Sequence, residues 1–265
     1  MTLREIREEP VAGPVPLYVH PEWAARFPWL AQGTTARRRA GATSVSPDAD
    51  FDLRLFGDLP VGSVLARWRA LREQTGCPRA VHARQRHGAA ALVHEAGPPG
   101  LCIAEGYDAH VTRAPGVLLT VSVADCVPVS LVDPVSRSVA LVHAGWRGAA
   151  AGALEAGLAA LIGCSGAPVE RLHVHLGPAI CGRCYEVGPE VHAALGLPVP
   201  SAPAPVDLRL LLAGRAAAQG VPLDQLTVSA FCTRCGDPPF FSHRGGDTGR
   251  QMGVLGVKPA AAPRL

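Results

Sequence analysis

The sequence predicts an α+β fold with mixed β-sheets. Short continuous runs of valine, leucine and alanine read as strands buried on both faces. Alanine-rich stretches with helical spacing separate some of them. The two kinds of element do not alternate regularly, as a doubly wound βαβ fold would require. With 48% hydrophobic and 18% charged residues, the 265-residue chain has ample material for a sizeable core and is too apolar for a disordered chain. Its length allows one or two domains at about 150 residues each. A boundary is conceivable only at the Pro-rich segment Pro198 to Pro205. The stretch of chain beyond that segment is short for an independent unit, so a single domain over 1–265 is expected.

In chain order, residues 1–50 are Pro-, Arg- and Ala-rich with weak periodicity, followed by Phe51-Asp52-Leu53-Arg54-Leu55. Val64, Trp68 and Leu71 fall at helical spacing and predict a helix within 60–76. A Gly/Pro break at 97–100 precedes a denser half. Gly116 to Ala124 reads as a buried strand ending at Asp125-Cys126, and Val127 to Val132 as its continuation or partner, stopped by Asp133-Pro134. Ser138 to His143 is a further strand, and the alanines from about 149 to 162 predict a helix. Leu172 to Leu176 and Leu226 to Phe231 read as strands. Residues 206–219 look helical, with Asp207 placed to cap them.

A formal net charge of +3 makes no case for a nucleic-acid or membrane partner. The mixed-charge N-terminus lacks the apolar region of a secretory signal. The richest apolar stretches are interrupted by Asp125, His143, Arg147 and Glu155, short of the roughly 18 residues a membrane span needs. A soluble, cytoplasmic protein is expected. In a reducing compartment the eight cysteines default to thiols.

Three strand ends deliver reactive groups into loops. Gln85-Arg86-His87-Gly88 offers an imidazole, Ala124-Asp125-Cys126 a thiol, and His143-Ala144-Gly145-Trp146-Arg147-Gly148 a second imidazole. One Cys and two His suit zinc with a fourth position open to water, whose pKa such an ion lowers to about 7. Copper binds the same donors. Without metal, Cys126 and His143 suit a thiolate–imidazolium nucleophile pair; equally, a Cys at a strand end is ordinary core filler.

Cys181-x-x-Cys184 and Cys232-x-x-Cys235 form a second set of the kind that binds structural zinc, but the 47 residues between them exceed a zinc ribbon's usual loop. They are therefore read as packing residues, with Cys232 and Cys235 candidates for a pocket wall, and loss of Cys181 is expected to leave activity mostly intact. His173 and His175 share one face of a predicted strand, as ligand pairs and ordinary polar faces both do. The Gly-rich loop Gly245 to Arg250 offers amides to an anion, helped by Arg244 or Arg250, but lacks the P-loop lysine.

These segments together resemble one family. The residues are Gln85-x-His87-Gly88, Thr120 through Asp133, Val139 through Gly148, Leu176 to Ile180, and Cys184 to Gly188. Cys232-Thr233-x-Cys235 followed by Phe240-Phe241-Ser242, and Thr248 to Gln251, complete the set. They look like the bacterial purine nucleoside phosphorylase family formerly called multicopper polyphenol oxidoreductase or laccase-domain proteins. The likeness runs from about residue 80 to 257, with the first 80 residues matching only loosely. It implies a single-domain four-layer α/β/β/α sandwich with mixed sheets and a zinc site on His87, Cys126 and His143. It also implies phosphorolysis of adenosine, inosine and methylthioadenosine, with adenosine deamination as a second reaction. Two departures bear on the substrate pocket. Ser242-His243-Arg244-Gly245-Gly246-Asp247 stands where relatives usually carry Ser-Tyr-Arg-Arg-Asp, and Leu212 where they often place Asn.

On this reading His87, Cys126 and His143 are catalytic through the metal, and Asp125 moves a proton in deamination. Gln85 contributes to substrate binding. Arg147 holds phosphate in a bidentate fork, aided by the amides of the predicted helix start, with Arg244 and Arg250 as alternatives. The runner-up is a copper oxidase acting on phenols. It would need many paired histidines, and only His173/His175 forms an H-x-H pair. A third reading is a Cys–His hydrolase acting on a cell-wall precursor, with Cys126 as nucleophile and His143 as base. A non-enzymatic binding module is disfavoured by the convergence of Cys, His and Arg at strand ends.

Overall fold

The strand Val117–Val123 shows how this sequence stacks its layers. In the computed structural model, which describes residues 3–38, 50–55, 57 and 59–260, its side chains alternate between two buried environments. Val117, Leu119, Val121 and Val123 meet Val132, Val139 and Leu141 of a second sheet, while Leu118 faces a helix. A strand covered on both faces is what a position between two layers requires. The segment 39–49 of the weakly periodic N-terminal part, residues 1 and 2, and 261–265 lie outside the described residues.

Among the described residues, both of these sheets have seven strands and are mixed. The first runs in the order Arg4–Ile6, Leu226–Ser229, His173–Leu176, Val127–Asp133, Ser138–Ala144, Ala109–Thr112, Ala91–Val93. The second runs Glu9–Val11, Leu17–Val19, Leu30–Thr35, Gln251–Val257, Val117–Val123, Arg79–Arg84, Gly100–Glu105. Helix Val61–Thr75 lays Val64, Trp68 and Leu71 on the outer face of the second sheet and ends at Gly76, whose φ of 70° suits a left-handed cap. Helices Ala153–Ser165 and Leu208–Ala218 cover the outer face of the first. The result is the four-layer α/β/β/α sandwich.

The segment predicted as one helix over 149–162 is two, Trp146–Ala150 and Ala153–Ser165, because Gly152 at φ 85° breaks the run. Asp207 caps as expected, accepting from the amides of Arg209 and Leu210. Leu212 is fully buried in the core beneath its helix. The Pro-rich segment contributes Ala204–Pro205, which pairs with Glu186–Val187. Among the described residues, no helix is long and apolar enough to cross a membrane.

Candidate functional site

Strands Val117–Val123 and Val127–Asp133 belong to different sheets, so the chain crosses between the sheets at Ala124-Asp125-Cys126. Asp125 makes the turn with φ of 81°, a left-handed conformation costing a non-glycine residue about 1–2 kcal/mol. Three hydrogen bonds hold it there. Its carboxylate accepts from Thr233 Oγ1 and from the Arg244 amide, both at 2.6 Å, and its carbonyl accepts from the Ile180 amide at 3.1 Å. The turn places Cys126 directly before the central strand Val127–Asp133.

His87 also has positive φ, 57°, and is held by one buried carboxylate. Asp108, wholly inaccessible, accepts from the amides of Arg86, His87 and Gly88 at 3.0, 2.9 and 2.9 Å. The same carboxylate pairs with His143 Nδ1 at 2.8 Å. Asp108 therefore sets both histidines: it fixes the loop bearing His87, and it leaves His143 Nε2 for Cys126 and for an ion. The ligand atoms of His87, Cys126 and His143 all lie within 4.8 Å of one another. Gly145 makes room for the thiol, since a Cβ there would lie 2.8 Å from Cys126 Sγ.

The trio's electrostatics favour a thiolate. Burial alone would raise the Cys126 pKa, but the neighbouring imidazoles, His143 foremost, outweigh it and bring it down to about 6. Burial would likewise lower His143, yet the Cys126 thiolate and Asp108 lift it to about 9. For Asp108, hydrogen bonds from His143 and the loop amides overcome burial and hold the carboxyl at about 2.

Two hollows meet at the trio. The larger, about 500 Å³, has Gln85, Arg250 and the apolar Leu55, Ile103 and Met252 in its wall. The smaller, about 320 Å³, is lined by Asp125, Trp146, Arg147, Tyr185 and Arg244, among others. His87, Ala124, Cys126 and His243 belong to both walls.

All the sequence-predicted site residues thus line one of these hollows, but in different states. Gln85 braces the larger one, its side-chain amide exchanging hydrogen bonds with the Ser122 backbone at 2.6 and 3.0 Å. Arg250 spends Nη1 on the carbonyls of Thr248 and Gly249 at 2.9 and 2.7 Å. Arg244 Nη1 donates to the Glu186 carbonyl at 2.9 Å. Arg147 is exposed and lies over the Trp146 ring at 4.3 Å, and among the described residues no hydrogen bond or ion pair engages its guanidinium.

The Gly-rich loop is closed on itself: the amides of Gly245 and Asp247 donate to the Ser242 carbonyl, and that of Gly246 to His243, so they are not presented to an anion. His173 and His175 point between the sheets, His175 bonding Glu8 and Thr227 at 2.9 Å each, away from the trio. The four paired cysteines, read from the sequence as packing residues, come together in space. The Sγ atoms of Cys181, Cys184, Cys232 and Cys235 all lie within 4.8 Å of one another. Thr233 and Tyr185 lie within recognisable motifs that give them no role of their own, and Asp108 lies in none. No spacing marks Asp108, which directly precedes Ala109–Thr112, the strand paired with that of His143.

Residues 33–258 match the family described as multi-copper polyphenol oxidoreductase laccase. The purine nucleoside phosphorylase of Deinococcus radiodurans is 37% identical over 243 residues, covering 88% of this chain and 92% of its own. Adenosine deaminase RL5, from an unknown prokaryotic organism, is 40% identical over 151 residues, covering 53% of this chain and 57% of its own. Among solved structures, YlmD from Geobacillus stearothermophilus is similar with a TM-score of 0.80 at 29% identity, over 96% of this chain and 100% of that one.

Proposed function

The chain belongs to the multi-copper polyphenol oxidoreductase laccase family, and from that premise we propose that it is a zinc-dependent purine nucleoside enzyme. Its reactions are phosphorolysis of adenosine, inosine and methylthioadenosine, with adenosine deamination at the same centre. The observation that carries the reading is the convergence of His87, Cys126 and His143 where the two hollows meet. The names of the relatives, purine nucleoside phosphorylase and adenosine deaminase, point to the same chemistry.

The donor set fits zinc, with two imidazoles, one thiolate and a carboxylate behind one imidazole. When bound, such an ion supplies Lewis acidity at an open fourth position. The larger hollow lies within the range of about 300–1,000 Å³ typical of small-molecule sites, and its apolar wall suits a nucleoside. Phosphate belongs in the smaller hollow. Of the three candidate arginines, only Arg147 has no hydrogen bond or ion pair to its guanidinium among the described residues, and it lies over the Trp146 ring at 4.3 Å. In phosphorolysis a phosphate oxygen forms a bond to C1′ as the bond from C1′ to the purine nitrogen breaks, and the base departs with a proton. Arg147 holds the attacking dianion, and Arg244 adds positive charge beside it. For deamination, Asp125 is the acid in the wall and the group we assign to proton transfer. Thr233 and the Arg244 amide fix its carboxylate.

Product identification tests the reading. With adenosine and phosphate the enzyme should form adenine and ribose 1-phosphate, and without phosphate only inosine. Absence of both products would refute it.

One observation favours a second reading. A thiol at about 6 beside an imidazole at about 9 is a nucleophile pair in its own right. A Cys–His hydrolase would retain its activity after the metal is chelated, whereas the zinc enzyme would lose it.

A further inference from the structure

The two Cys-x-x-Cys turns meet because of how the first sheet is wound. Strands His173–Leu176 and Leu226–Ser229 are parallel neighbours, so both chains leave the sheet at the same end. A parallel bridge between Ala179 and Cys232 carries the pairing past the strands. The long interval between the turns is the crossover of a parallel β pair, which includes helices Pro189–Leu195 and Leu208–Ala218. A zinc-ribbon loop length is therefore the wrong standard for it.

We propose that Cys181, Cys184, Cys232 and Cys235 hold a structural zinc ion, closed by four thiolates, that pins together two loops of the active site. All four sulfurs lie within 4.8 Å of one another, with Cys181 and Cys235 at 3.9 Å. A tetrahedral ion with Zn–S bonds of about 2.3 Å sets its sulfurs about 3.8 Å apart, so little movement is needed to close the site. No pair is joined as a disulfide. Cys232 Sγ accepts from the amides of Cys181 at 3.3 Å and Arg234 at 3.4 Å, contacts that stabilise sulfur carrying negative charge. None of the four lines either hollow, and four protein ligands leave no position for substrate.

The ion's role is positional. The Cys181–Cys184 arm is flanked by Ile180, whose amide holds the Asp125 carbonyl, and by Tyr185 in the smaller hollow. The Cys232–Cys235 arm carries Thr233, which donates to the Asp125 carboxylate. Arg234 Nη1 ties the arms again at the Cys184 carbonyl, 3.2 Å away.

The test compares zinc content in the wild type and Cys181→Ser/Cys235→Ser, both purified under reducing conditions and both retaining His87, Cys126 and His143. The double variant should hold about one zinc per chain fewer, whatever the trio holds, and Cys126→Ala should keep this ion. Independently, titrating folded Cys126→Ala, which lacks the thiolate of the trio, with a mercurial should release this zinc as the thiols are modified. That measurement decides alone if the double variant fails to fold. Equal zinc in wild type and double variant would overturn the proposal. So would iron in place of zinc, or two disulfides among these four cysteines in the reduced preparation.

Discussion

The two cysteine-containing clusters differ in what surrounds them rather than in how tightly they converge. His87, Cys126 and His143 offer three ligands, open onto two hollows, and rest on the buried carboxylate of Asp108. The four cysteines offer a full tetrahedral set, line neither of those hollows, and are braced by amides and by Arg234. An incomplete shell beside a cavity suits chemistry, and a complete shell between loops suits a staple. The clusters meet at Asp125, whose neighbour is a ligand of the first and whose carboxylate is held by a loop of the second.

The sharpest way to break this contrast short of removing a ligand is Asp108→Asn. An asparagine NH2 turned toward His143 Nδ1 would place the ring proton on Nε2, the nitrogen needed for the ion. Metal affinity or turnover at the trio should fall about 10- to 100-fold. Zinc on the four cysteines should be unchanged, and metal analysis with steady-state kinetics would show both.

Arg147→Ala sharpens the assignment of the two hollows. Losing a charge-assisted contact of about 1.5–3 kcal/mol should raise the KM for phosphate about 10- to 100-fold. Ribose 1-phosphate formation should drop far more than inosine formation from adenosine. An unchanged phosphate dependence would move the anion to Arg244 or Arg250, and equal loss of both products would give Arg147 a general supporting role.

A smaller effect concerns pH in metal-free protein. Cys126 lies below its ordinary value, so its contribution to stability is present at high pH and lost as pH falls through about 6. His143 lies above its ordinary value, so its contribution is lost as pH rises through about 9. Between these limits the pair is thiolate and imidazolium. Alkylation of Cys126 by iodoacetamide, followed by peptide mass analysis, should therefore rise through a midpoint near 6. In His143→Gln the midpoint should move up by at least a unit, because the largest opposing charge is gone. An unmoved midpoint would contradict the pairing.

What could be read in the sequence depended on distance along the chain. The strands from 116 to 144 were legible because burial on both faces leaves near-continuous apolar runs. The C-terminal strand Gln251–Val257 was not, since Gly253 and Gly256 interrupt its pattern. Gly253 is needed there because a Cβ would lie 2.7 Å from Pro128. Cys126 and the two histidines stood out as reactive types at strand ends. Asp108 did not, because its partners come from a loop and a neighbouring strand. The four cysteines were visible, but their meeting was hidden by the crossover that separates two parallel strands in sequence while placing them side by side.

The most direct test of the trio as the working centre is turnover of adenosine with phosphate by Cys126→Ala, with zinc on the four cysteines and thermal unfolding measured in the same preparation. Cys126→Ala should be a folded protein that keeps the four-thiolate ion and forms neither ribose 1-phosphate nor inosine. Near-normal formation of either product would contradict the trio's role.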